Sequence, residues 1–258
     1  MAELITSTSN PKIKKLVALQ QKSSERRESS LFVVEGRREL EHCLNSGFEL
    51  DTVFVCPEIF EGRLPSADRT VEVSRELYRK IAYREGTEGI IAEVRYRQSR
   101  LEDLRLRENA LVAVLESVEK PGNLGAVLRT CDAVGADALI VCDPLTDLYN
   151  PNLIRASIGA VFTVPCVACS TDEAIAFLKE KGIQILTAQL QDSSLYYDCD
   201  MKRATAIVMG TEATGLSDSW REAADAHIRI PMLGKLDSLN VSVSAAILLY
   251  ESARQRNG

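Results

Sequence analysis

The chain has 258 residues, 45% of them hydrophobic, with 31 Lys and Arg against 37 Asp and Glu for a net charge of −6. That length and apolar content support two cores of ordinary size, and no apolar run approaches the roughly 18 residues of a membrane span, so a soluble, cytoplasmic protein without membrane segment or leader is expected. Seven cysteines, odd in number and scattered along the chain, fit a reducing compartment and not a disulfide framework.

The acidic total hides an uneven distribution. Residues 1–109 carry 19 basic and 19 acidic side chains, so the whole negative excess lies in the second half. Lys12, Lys15, Arg26 and Arg27 belong to a basic opening segment that could meet the phosphates of a nucleic acid; a solvated helix face is the plainer account of the same run.

In chain order, Ser9-Asn10-Pro11 is a helix-start signal, and Ile13, Leu16, Val17 and Leu19 continue it at helical spacing. Strands follow at residues 31–34, 51–56, 71–73 and 90–94, with a helix from Arg38 to Leu44 ending near Gly47. This reads as a compact α/β unit over residues 1–94. Residues 95–109, dense in Arg and Glu, read as a charged and partly helical linker.

From Ala110 the pattern becomes strand and helix in alternation, which predicts a mostly parallel sheet with helices on both faces. Strands are expected at 111–115, 138–141, 161–166, 183–187 and 204–209, and another ends at Ile230-Pro231. Ser170-Thr-Asp-Glu173 is a capping box, and a long helix should run from Asn240 to Arg254. Cys166-Val-Ala-Cys169 has zinc-like spacing but lacks a second ligand pair, since the only histidines are His42 and His227. No metal is expected.

Three blocks fall where strands meet helices, at the strand ends where α/β sheets bind ligands. They are Asn123-Leu-Gly125 with Arg129, Gly210-Thr-Glu212-Ala-Thr-Gly215, and Ile230-Pro231-Met232 running on to Ser238-Leu239-Asn240. Neither a dinucleotide-binding glycine fingerprint nor a P-loop is present. Asn123 reads as a helix cap, and Arg129 lies among Val127, Leu128 and Cys131, where a guanidinium needs a partner. The middle block suits a turn as well as a ligand loop, and Ser238 and Asn240 suit an N-cap.

Taken together and in this order, the blocks resemble the signature motifs of the SpoU/TrmH family of RNA 2′-O-ribose methyltransferases over residues 110–255, and Ser7 to Pro11 with Phe32 to Gly36 resembles that family's N-terminal RNA-binding domain. The resemblance implies a small N-terminal α/β RNA-binding domain and a trefoil-knotted α/β methyltransferase domain over residues 110–258, working as a homodimer. It further implies S-adenosylmethionine as cofactor, with Thr187, Ala188, Gly210, Ile230 and Leu239 around it, and Arg129, Asn123, Glu212 and Asn240 as the catalytic group. Many relatives carry Asn where this chain has Thr211. Ribosomal RNA is the expected substrate, with transfer RNA, or a silent RNA-binding or ribosome-assembly factor, as the alternatives.

Overall fold

The computed structural model describes residues 3–83, 88–211, 215–235 and 238–257. It divides into two units, Met1–Arg97 with Asp147–Thr163, and Gln98–Thr146 with Val164–Gly258. The chain therefore passes between the units three times.

In the first unit, β1 (Glu3–Ile5) leads to α1 (Pro11–Gln21). The Asn10 side chain accepts the Lys12 amide at 2.9 Å, and Pro11 takes the first helical position, where no N–H is needed. After α2 (Ser23–Ser29) come β2 (Leu31–Glu35), α3 (Arg37–Asn45), β3 (Leu50–Val55), β4 (Arg69–Val73), α4 (Arg75–Ile81) and β5 (Ile90–Arg95). The five strands form one mixed sheet in the order β1-β4-β3-β5-β2. Ile13, Leu16 and Leu19 of α1 are buried with Val33, Phe54 and Ile91, so the helical spacing legible in the sequence is the core face of α1.

The chain next forms β6 (Leu111–Glu116), α5 (Pro121–Val134) and β7 (Ala138–Cys142), then returns to the first unit with α6 (Pro151–Ala156) and α7 (Ala160–Thr163). Within that unit Tyr149 stacks on Phe32, ring centroids 4.2 Å apart, and Asp147 pairs with Arg26.

The second unit is completed by β8 (Cys166–Cys169), α8 (Thr171–Glu180), β9 (Gln184–Ala188), β10 (Ser194–Leu195), β11 (Thr205–Met209), α9 (Asp218–Ala223), β12 (Ala226–Arg229) and α10 (Val241–Asn257). Its seven strands run in the order β10-β12-β9-β11-β6-β7-β8, each parallel to its neighbours. β6, β7 and β11 are buried along their whole length, which is why they read as unbroken apolar runs. The α/β class and parallel sheet expected from the alternation are present.

Several local expectations are corrected. Residues 161–166 do not form a strand: Ile158 and Gly159 take positive φ, the chain restarts as α7, and the strand begins only after Pro165, at Cys166. Asn123 is not the cap of α5, because Pro121 already fills its first position and Lys120 is the N-cap. Arg129 is exposed and not set on the apolar face, while Val127, Leu128 and Cys131 are buried. The predicted linker is helical only as a single 3-10 turn, Leu101–Asp103. The expected capping box is present, with Ser170 Oγ accepting the Glu173 amide and Glu173 accepting the Ser170 amide.

Candidate functional site

Chain progression along the parallel sheet goes from β6 to β7 and β8 on one side, then to β9, β11 and β12 on the other. The crevice between β6 and β11 is thus a point where strand order reverses, the place where such sheets receive ligands. A cavity of about 610 Å3 opens at the carboxyl ends of β9, β11 and β12, within the size range of small-molecule sites.

Its wall is built from backbone that can approach a ligand. Gly210 follows β11 directly, and a Cβ there would overlap the Gly215 carbonyl. The chain turns back on itself at this point: the Gly215 amide donates to the Thr211 carbonyl at 3.0 Å, with Gly215 at φ +68°. Glycine is required at both ends of the turn, at one for space and at the other for its dihedral. Glu212 lies outside the described residues.

Ala188, Gly210, Ile230 and Leu239 all line this cavity, as do Val241 and Ser244 from the first turn of α10. Thr187, grouped with them by the sequence, is fully buried and does not line it. Its hydroxyl instead meets His227 Nδ1 at 2.6 Å, and His227 does line the cavity. Sequence reasoning named His227 only in counting possible partners for the Cys166 and Cys169 pair. The available signal was a polar ring in a strand that ends at the third block, but its partner lies 40 residues away.

Two side chains, Asn240 and Glu116, tie the blocks and their flanks together. Asn240 Nδ2 donates to Asn123 Oδ1 at 3.1 Å, while Asn240 Oδ1 accepts from the Ser242 amide and hydroxyl, so Asn240 caps α10 and holds α5 at once. Glu116, buried at the end of β6, accepts the Ser217 amide at 2.8 Å through one oxygen and the Thr171 hydroxyl at 3.1 Å through the other. Glu116 was missed by the sequence reading, since a glutamate closing an apolar strand carries no signal of two distant loops.

Arg129 sits two turns into α5, exposed, and among the described residues it makes no hydrogen bond or ion pair and does not reach the cavity wall. The basic cluster is also divided. Lys12 and Arg27 are exposed, and Lys15 pairs with Glu93 at 3.0 Å. Arg26 is buried: its Nε donates to Asp147 at 2.6 Å and its Nη1 to the Leu19 carbonyl at 2.7 Å, so it cannot meet a phosphate from this position.

No group of three or more His, Cys, Asp or Glu that could hold a metal occurs among the described residues. Two thiols are held protonated: burial pushes Cys131 up to about 12, and the hydrogen bond between Cys142 and Cys169, with burial, pushes Cys142 up strongly. The cavity does fit a nucleoside-bearing ligand. It mixes apolar side chains with the backbone of Gly210 and Gly215 and with His227, and the Gln189 side-chain oxygen on its wall is buried without a hydrogen-bond partner among the described residues.

The family model described as the SpoU rRNA Methylase family matches residues 110–250, and that of the MRM3-like substrate binding domain matches residues 10–92. The 23S rRNA (guanosine(2553)-2'-O)-methyltransferase RlmP of Bacillus subtilis (strain 168) is 29% identical over 250 residues, spanning 95% of this chain and 97% of that one. Among solved structures, an RNA 2'-O ribose methyltransferase is 39% identical with a TM-score of 0.86, covering 99% of this chain and 100% of the other. AviRb from Streptomyces viridochromogenes, a SpoU methyltransferase solved with AdoMet, gives a TM-score of 0.89 at 25% identity, covering 96% and 99%.

Proposed function

Because the chain belongs to the SpoU rRNA methylase family, whose model spans residues 110–250, we propose that it is an S-adenosylmethionine-dependent enzyme that methylates the 2′-hydroxyl of one ribose in RNA, ribosomal RNA in particular. The observation that carries the activity is the cavity at the ends of β9, β11 and β12, where Gly210, Ile230 and Leu239 from two blocks meet on one wall. Ribosomal RNA is favoured because the likeness to the 23S rRNA enzyme RlmP runs through both units and not through the second alone.

When bound, the cofactor supplies a methyl group already activated on a sulfonium. The protein's task is then to hold the hydroxyl in line and to lower the cost of the charge it develops. Gly210, Ile230 and Leu239 would hold the cofactor through backbone groups, with Ala188 beside them. Arg129 cannot serve as an ordinary base, since a guanidinium is a permanently charged donor with no acceptor site; it stabilises the developing alkoxide, with Asn123 and Asn240 keeping α5 and α10 in register and Glu212 completing the catalytic group.

Arg129 lies away from the cavity wall of its own chain, so a second copy that brings its own Arg129 to the site completes the arrangement. Val243 and Tyr250, exposed at 46% and 54% and seven residues apart on α10, offer an apolar face for that homodimer. The trefoil threading of the C-terminal chain, the division into an RNA-binding domain at 1–94, a linker at 95–109 and a methyltransferase domain at 110–258, and a cytoplasmic location belong to the same proposal. Lys12, Lys15 and Arg27 remain its RNA contacts, without Arg26.

The test is mass spectrometry of RNA from cells lacking the protein. One 2′-O-methylated nucleotide should disappear, returning with the wild-type chain but not with Arg129→Ala. Full restoration by that variant would overturn the role of Arg129, and an unchanged set of modifications would overturn the activity.

A further inference from the structure

We infer that His227 is a specificity-determining residue of the cofactor site, whose Nε2–H donates a hydrogen bond to an acceptor atom of the bound cofactor; this rests on the S-adenosylmethionine reading above. Strand register places His227 of β12 directly beside Thr187 of β9, on the same face of the sheet. The Thr187 hydroxyl is fully buried and lies 2.6 Å from His227 Nδ1. The ring is therefore held by its inner nitrogen, while the residue as a whole is half-buried and lines the cavity.

Chemistry then sets the role of the outer nitrogen. A neutral imidazole has one donor and one acceptor nitrogen; in the inferred arrangement the Thr187 hydroxyl donates to Nδ1, which places the ring hydrogen on Nε2. Nε2 has no partner among the described residues. On the adjoining wall the Gln189 carboxamide donates to the Gln191 carbonyl at 3.0 Å and leaves its oxygen unpartnered among the described residues, so β9 and β12 together present a donor and an acceptor. A ligand carrying both kinds of group, as a nucleoside joined to an amino acid does, suits such a wall, and an apolar ligand does not.

The full chain contains only two histidines, so protein labelled with 15N-histidine yields a spectrum assignable with a His42→Gln variant. Saturation with S-adenosylhomocysteine should move the Nε2 resonance of His227 and leave its Nδ1 protonation unchanged. By calorimetry, His227→Phe should weaken S-adenosylhomocysteine binding about tenfold, the scale of one lost hydrogen bond in a desolvated site, and His227→Gln should recover part of that loss. Thr187→Val, which frees the tautomer, should weaken binding severalfold. An Nε2 resonance indifferent to the ligand, or a folded Phe variant that binds as wild type does, would overturn the inference; if His227→Phe fails to fold, the wild-type spectrum decides. Failure of the wild-type chain itself to bind S-adenosylhomocysteine would instead overturn the cofactor reading beneath it.

Discussion

Replacing Arg26 separates two roles that a basic residue near the N-terminus could have. Its side chain is 3% exposed and that of Asp147 6%, with Nε and Oδ2 2.6 Å apart. Nη1 also donates to the Leu19 carbonyl, and the other Asp147 oxygen accepts the Tyr149 amide at 2.9 Å. Arg26→Ala leaves a buried carboxylate with one amide as its sole remaining partner in this set, a loss expected to cost about 3–5 kcal/mol, a large part of the roughly 5–15 kcal/mol that holds a domain folded. The only tryptophan, Trp220, lies in the second unit and will not report this change, so the assay is hydrogen exchange read by mass spectrometry at α1 and β2. Protection there should fall by the same free energy. The double variant Arg26→Met with Asp147→Leu should recover most of it, because no unpaired charge then remains buried. A loss under about 1 kcal/mol, or a folded Arg26→Ala chain whose RNA affinity becomes less salt-dependent by about one phosphate contact, would refute the buried-pair reasoning and return Arg26 to the RNA surface.

Gly210→Ala should abolish binding of S-adenosylhomocysteine in calorimetry, since the added Cβ overlaps the Gly215 carbonyl in the wall of the cavity. Arg256 donates to the carbonyls of Met201, Arg203, Asn109 and Ala110, joining the end of α10 to the starts of β6 and β11; Arg256→Ala should cost about 2 kcal/mol in urea unfolding followed by Trp220 fluorescence. Burial alone would raise the Asp137 carboxyl, but the Arg107 side chain, the amides of Leu111 and Arg107 and the guanidinium charge together hold it below the usual carboxylate range. Because its folded value lies below the unfolded one, Asp137 stabilises at neutral pH and loses that effect on acidification. Asp137→Asn should therefore be less stable than wild type at pH 7 by about 1–3 kcal/mol, with the gap closing below about pH 4.

What the sequence made legible was whatever depends on near neighbours. The helix start at Asn10-Pro11 and the Ser170 capping box rest on contacts within four residues, and both are present; the apolar strands show as local runs, and all but the one expected at 161–166 form. Arg26 was misjudged because its partner is 121 residues away and a run of basic residues looks the same whether or not one member turns inward. The attachment of Asp147–Thr163 to the first unit was hidden for the same reason: that segment sits, in sequence, inside a run of alternating strands and helices. Asn123 was read as a cap because capping is the commonest local use of asparagine at a helix start, yet Pro121 supplies that start and frees Asn123 for Asn240. Of the five residues expected at the cofactor, four line the cavity and were found through the resemblance, whereas His227 required knowing which strand lies beside β9.

Glu116 and Asn240 explain why three blocks that are individually ordinary work as one site. Each block belongs to a different part of the sheet and its helices, and hydrogen bonds within a block cannot fix the distance to another. Glu116 stands on β6, the strand that leads to Asn123, and holds the Ser217 amide, just past the turn from Gly210 to Gly215. Asn240 stands in the third block and holds Asn123 in the first. The first block is thus bound directly to the third through a carboxamide, and the strand that precedes it holds the residue just past the middle block through a carboxylate. A buried carboxylate that accepts an amide is costly to replace, because removing it leaves a donor unmet, whereas a shift of its loop would break the same bond. Ser217 is therefore located by the sheet itself through Glu116, and the cavity wall at Gly210 and Gly215 is set beside it by the close packing of those two glycines.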